Sequence, residues 1–233
     1  MPLWLLLTEL TGDPRYSVAA IRAGEYSWAS GGQREGRFTG GTIDNPDVID
    51  KEAATLSLEA YLALFDATHD PRWLERARAA ADVAETWIYT WNVPMAADDP
   101  DAALHWKQGV PTTGVQLIAT GHSLVDEYMA FDVGEYAQLA RDTGDTHYLA
   151  VARLLLHDTL AMTALPGRTY DLMGPGWQQE HWSLAPCRGR GMHRGWLPWV
   201  TTSHLHGIMA LEDDSALYAE LAGPAPARRG EQH

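Results

Sequence analysis

Glu180 is flanked by two tryptophans in Gly176-Trp-Gln-Gln-Glu-His-Trp182. A carboxyl in a dry, aromatic setting has its proton affinity raised. A counterpart is offered far upstream, where Asp44, Asp47, Asp50 and Glu52 fall within nine positions. Asp50 is placed to cap a helix. Glu52 then lies in its first turn, where the helix dipole stabilises an anion. His122 and Asp126 lie four apart, so on one helix the carboxylate orients the imidazole. The third rich stretch combines His181, Arg188, Arg190, His193 and Arg194 with Trp177, Trp182, Trp196 and Trp199. Aromatic rings beside carboxylates and guanidinium groups suit a sugar. The rings cover apolar C–H faces, and arginine clamps a uronate carboxylate bidentately. Asp44, Asp47, Trp91 and Trp106 complete the expected substrate-binding set, with Trp177, His181, Trp182, Arg190, His193 and Arg194.

Other chemistries find less support. His204 and His206 are two apart and point different ways on a helix, so no metal site is expected, and no cofactor. The single Cys187 excludes an intramolecular disulfide and any zinc site built on several cysteines. A net charge of −14 argues against nucleic acid and anionic membrane surfaces. No apolar run is long enough to span a bilayer. Met1–Leu10 is apolar but lacks a basic leader and a small-residue cleavage site. It reads as the end of a helix rather than a signal peptide.

The elements that must position these residues are announced by a repeat. Thr11-Gly-Asp-Pro-Arg-Tyr16, Thr68-His-Asp-Pro-Arg-Trp73 and Thr143-Gly-Asp-Thr-His-Tyr148 each precede a helical stretch. The Asp caps the helix that follows. Pro, where present, sits at the first helical position, and the Thr-Gly type of pair ends the helix before. Each copy is therefore a tight helix–turn–helix corner. Glu52–Phe65 is apolar on nearly every side, as a helix surrounded by protein should be. Pro71–Ile88 is amphipathic, with Trp73, Leu74, Ala77, Ala81, Ala84 and Ile88 on one face. His122–Arg141 and Asp145–Met162 are expected to repeat that contrast. Tight corners alternate with long connections near 29–49, 92–119 and 166–191, and long loops in compact domains are usually functional. The expected fold is all-α, an (α/α) toroid of helical hairpins with about seven helices. One domain covers 1–221, and 222–233 forms a disordered tail. So low a hairpin count implies an incomplete ring, as in a fragment of a larger one.

The corners, the Asp44–Glu52 carboxylates and Gly176–Trp182 resemble the six-hairpin glycosidase superfamily. That superfamily includes unsaturated glucuronyl hydrolases, related glycoside hydrolases acting on uronic-acid polysaccharides, and more distantly sugar 2-epimerases. The resemblance spans most of Met1–Glu212 and is architectural. It implies a glycoside hydrolase acting on polysaccharide or oligosaccharide, uronic-acid-containing substrates among them, through a pair of carboxylates. Glu180 is the expected acid, Asp50 or Glu52 the base, and His122 a further catalytic group. Two alternatives share the fold. A sugar epimerase would use His122 with His181 or His193, and a non-catalytic toroid fragment would only bind carbohydrate. The absence of an Asp-rich metal motif disfavours a terpene cyclase.

Overall fold

The structure is a computed structural model that describes residues 1–33, 38, 49–93, 111–119, 124–126, 128–158, 163–169, 172–178, 182–183 and 199–223. It is mostly helical. Eight α-helices fall among the described residues: α1 (Pro2–Thr11), α2 (Pro14–Ser27), α3 (Lys51–Thr68), α4 (Pro71–Glu85), α5 (Val133–Thr143), α6 (His147–Asp158), α7 (Trp199–Met209) and α8 (Ser215–Ala222). A π-helical turn, Trp28–Gly32, extends α2, and a 3-10 turn, Tyr128–Asp132, leads into α5.

The three corners are built alike. In each, the Thr hydroxyl donates back to the carbonyl four residues earlier, 2.6 Å away in all three (Thr11 to Leu7, Thr68 to Leu64, Thr143 to Leu139). The same oxygen accepts the backbone N–H of the Asp two residues on, at 3.2 to 3.3 Å. The Asp side chain then accepts the N–H of Arg15, Arg72 or His147. The residue between Thr and Asp is left-handed: Gly12 at φ 69°, His69 at φ 54° and Gly144 at φ 72°. Only His69 bears a side chain there. A non-glycine residue in this region costs about 1–2 kcal/mol, and the looser unfolded chain of a glycine variant offsets about half of that. His69→Gly is therefore expected to raise unfolding free energy by about 0.5–1 kcal/mol. Urea denaturation checks it, and a loss of stability would mean the imidazole makes a compensating contact.

The corners join α1 to α2, α3 to α4 and α5 to α6 as antiparallel hairpins, and neighbouring hairpins pack on one another. Helix α3 touches α1, α2, α4, α5 and the 3-10 turn. It buries Ala53, Ala54, Leu58, Ala60, Tyr61, Leu62 and Leu64, so it is surrounded by protein as its sequence implies. Helix α4 buries only Trp73, Ala77, Ala80, Ala81 and Ala84. The small residues let the helices approach closely. At Gly24 of α2, a Cβ would lie 2.5 Å from Leu64 Cδ1 and 2.9 Å from the Trp73 ring.

Two sequence expectations are corrected. His122–Arg141 is not one helix. Leu124–Asp126 forms strand β2, between β1 (Gln116–Leu117) and β3 (Trp182–Ser183), and α5 begins only at Val133. The pairing is antiparallel, Gln116 with Asp126 and Val125 with Trp182. Once long loops pack together, their backbone N–H and C=O groups need partners, and pairing with each other supplies them. The second correction is at the C-terminal end. Ala222 closes α8, Leu221 is buried, and the Gly223 carbonyl accepts from Arg153 at 2.9 Å, so 222–223 belong to the folded unit. The rest of the expected tail, 224–233, lies outside the described residues.

Candidate functional site

The N-terminal ends of α3 and α5 carry the site. Asp50 caps α3, accepting the Ala53 N–H at 3.1 Å, and Lys51 N–H donates to the Ile118 carbonyl at 3.2 Å. Asp50 also bridges Ala119, so the start of α3 is tied to the strand-bearing loop. That loop is fixed in turn by Gln116. Its side-chain amide donates to the Gly114 carbonyl and, at 3.2 Å, to Asp158 of α6. Its side-chain oxygen accepts the Met129 N–H at 3.2 Å. Gln116 thus holds the 3-10 turn that delivers Asp132.

Asp132 occupies the N-cap position of α5 yet makes no side-chain cap bond. Its relative exposure is 0%, and neither carboxylate oxygen has a hydrogen-bond partner among the described residues. Glu135, in the first turn, has one buried oxygen in the same condition. Burial pushes the Asp132 carboxyl well above the usual range, Glu135 and Glu59 push it further, and Lys51 partly opposes them. Burial raises Glu135 to about 7, its own backbone N–H opposes, and Glu59 adds to the rise. An isolated buried carboxylate is too costly to keep charged, so such groups hold a proton instead. Glu59 also lines an open cleft of about 300 Å³, with Tyr26, Ser27, Leu56 and Ser57 among its walls. Tyr26 is 68% exposed beside it. Ser27 accepts the Tyr61 hydroxyl at 3.2 Å.

The residues expected from sequence divide unevenly. Glu180, His122, Asp44, Asp47, Trp106, His181, Arg190, His193 and Arg194 lie outside the described residues. Asp50 and Glu52 stand at the start of α3, with Asp50 buried as its cap. Trp91 is 60% exposed and meets Tyr89 edge-on at 5.5 Å. Its loop is pinned by Asn92, whose Oδ1 accepts the N–H groups of Thr112 and Thr113. Trp177 is half-buried, and its carbonyl accepts the Ala164 N–H at 2.7 Å. The backbone of Trp182 pairs with Val125, which brings the second and third long loops together. Asp126 is a strand residue opposite Gln116, so the helical His122–Asp126 pairing is overturned. Among the described residues, no three His, Cys, Asp or Glu groups are placed to hold a metal.

Sequence reasoning missed Asp132, Glu135, Glu59 and Lys51. The signal present was Asp132-Val-Gly-Glu135, but an acid followed three residues later by Glu is the ordinary mark of a helix start. It points to capping, not to a carboxylate that declines to cap.

Stability should record this site. Between pH 4.5, the ordinary value of Glu, and about 7, the folded chain holds a proton on Glu135 that the unfolded chain has released. Stability therefore falls as pH rises through that window, by of order 3 kcal/mol from Glu135 alone. Glu85, raised by burial, acts with the same sign. So does His147, raised by its 2.7 Å bond to Glu85, because its stabilisation is complete below 6.5 and lost as pH rises. Asp13 and Asp70, held low by Arg15 and Arg72, lose stability only in more acidic solution. Denaturant unfolding at pH 5 and pH 8 tests this, and a flat or rising profile would remove the buried-acid assignment. Comparisons with protein-family models, with curated proteins and with solved structures return no match for this chain.

Proposed function

We propose that the protein is a glycoside hydrolase-like enzyme acting on oligosaccharide or polysaccharide by carboxylate acid/base catalysis. The observation that carries this is the Asp132–Glu135 pair. It supplies a proton-holding carboxyl matched to neutral pH at a helix start, and Glu59, which raises both acids electrostatically, lines an open cleft. In this reading the successive hairpins form an arc of an (α/α) toroid, with α1, α3 and α5 inside and α2, α4 and α6 outside. Glu135 gives its proton to the leaving-group oxygen of the scissile glycosidic bond. Glu59 faces Glu135 electrostatically and serves as base on a water or as nucleophile. Asp50 and Glu52 stand about two helical turns before Glu59, at the start of α3. Tyr26 and Trp91 offer exposed rings for sugar faces, the role also expected of Trp177 and Trp182. No helix among the described residues is long and apolar enough to cross a membrane.

The test is reducing-end release from a panel of neutral, amino and uronic oligosaccharides, with the anomeric proton followed by NMR. Release that depends on Glu135 supports the reading. Isomerised free sugar without bond cleavage would favour the epimerase instead.

A further inference from the structure

Helix α1 is strongly apolar, yet none of its residues is buried. Leu3, Leu6 and Leu10 follow helical spacing on one face and are 66%, 49% and 72% exposed. Between α1 and α3 runs an open trough of about 630 Å³, with Leu5, Leu6 and Glu9 on one wall and Ala63, Asp66 and Ala67 on the other. No arginine or lysine lines it. Exposed apolar surface rimmed by polar groups marks a contact site. The repeat shows what is missing there. Gln138 stands five residues before the corner threonine Thr143, and its side-chain N–H donates to Asp66 of the neighbouring hairpin at 2.9 Å. Ala63 stands five residues before Thr68, and Glu9 stands before Thr11 as Asp66 stands before Thr68. The Ala63 methyl group has nothing to donate to Glu9. The third hairpin thus fills its space against the second, while the second leaves a trough against the first.

We infer that the trough takes a basic amphipathic helix of a partner protein, with leucine-type side chains seated on Ala63 and Ala67 and lysine or arginine paired with Glu9 and Asp66. From Pro2 to Glu9 the α1 wall runs about 10 Å, two helical turns. That length matches apolar anchors at i, i+3 or i+4, and i+7 of a docked helix. A basic side chain brings the donor that Ala63 lacks, and a charge opposite to both rims. A second copy of this chain fits poorly. Both rims are acidic, so a two-fold contact sets acid against acid, between chains of net charge −14. An anionic membrane surface is repelled in the same way. A small molecule would be held less well, because the Leu6 wall stays half open to water. Neither Glu9 nor Asp66 belongs to the proposed catalytic set, so docking and hydrolysis stand or fall separately.

The experiment is fluorescence anisotropy of labelled synthetic helices, each of about four turns, titrated with the full chain. One peptide carries leucine on a single face and lysine elsewhere. Its controls replace lysine with glutamate, or keep the composition and scramble the order. The leucine–lysine helix should bind about tenfold tighter than either control, and less tightly as salt rises. E9Q and D66N should each weaken it by about two- to fivefold. A63Q, which places in the trough the side chain that the third hairpin already uses, should weaken it by about tenfold. The circular dichroism of all three variants should be unchanged. No binding, equal binding of the scrambled or glutamate peptide, or affinity untouched in all three variants overturns the inference. The last result would mean only diffuse attraction to an acidic chain. Sedimentation showing a dimer that L6D breaks would give the face to a second copy and overturn it too. So would binding of the chain to anionic vesicles that L6D abolishes.

Discussion

Glu135→Gln is expected to cut kcat by about 10²–10⁴ on a glycoside that the protein hydrolyses, with KM little changed. The isosteric amide keeps the shape of the first turn of α5 but has no proton to give a leaving oxygen. The same change should make the fold more stable at pH 7, by of order 2 kcal/mol, because it removes a carboxyl that burial keeps from ionising freely. The two effects together are diagnostic. Loss of activity through damaged folding would come with lower stability, whereas a catalytic acid held in an unfavourable place gives the opposite sign. Steady-state kinetics and urea denaturation on the same preparation decide it, and full activity in the variant would end the acid assignment. Retention of the downward pH trend in stability would move that trend's source to Asp132, Glu85 and His147.

The largest stability effect should come from Trp73→Ala. The side chain is 1% exposed and stacks on Tyr61 with centroids 5.9 Å apart and planes 21° apart. The Arg76 guanidinium lies 4.6 Å from its ring centroid, and its far edge fills the space left by Gly24. It therefore joins α2, α3 and α4 at one point. Truncation leaves a cavity among three helices that the rigid corners prevent from collapsing, costing about 4 kcal/mol. In a chain of this size that lowers Tm by about 10 °C. Thermal unfolding monitored by near-ultraviolet circular dichroism measures it. A loss below about 1 kcal/mol would show that the helices close over the gap.

The corners were legible because their information is local. Thr, a small or left-handed residue, Asp and Pro each act within six residues, so a repeated phrase specifies a repeated shape. The threonine's part was not foreseen, since nothing in the phrase says that its hydroxyl bonds both ways. The burial contrast between α3 and α4 was legible from periodicity. Strand β2 was not. Leu124–Asp126 follows helical spacing well enough, and only pairing with β1 and β3, distant in sequence, makes it extended. Asp132 was illegible for a related reason. Whether an acid before a helix caps it or turns inward depends on Gln116 fixing the 3-10 turn from another loop. Of the expected site, Asp50, Glu52, Trp91, Trp177 and the backbone of Trp182 are placed. The acid proposed from sequence, Glu180, lies outside the described residues.

The corners also bear on the order of events in folding. Each is closed by bonds spanning at most six residues, so its loop-closure entropy is small and a hairpin can form early. The Gln116 links to Asp158 and Met129, the β1–β2–β3 pairing and the apposition of α3 with α5 all join distant segments and must wait. Asp132 is then dehydrated only in the last stage, when these segments meet. A chain caught before that stage would hold its hairpins and keep Asp132 and Glu135 in water with ordinary acidities.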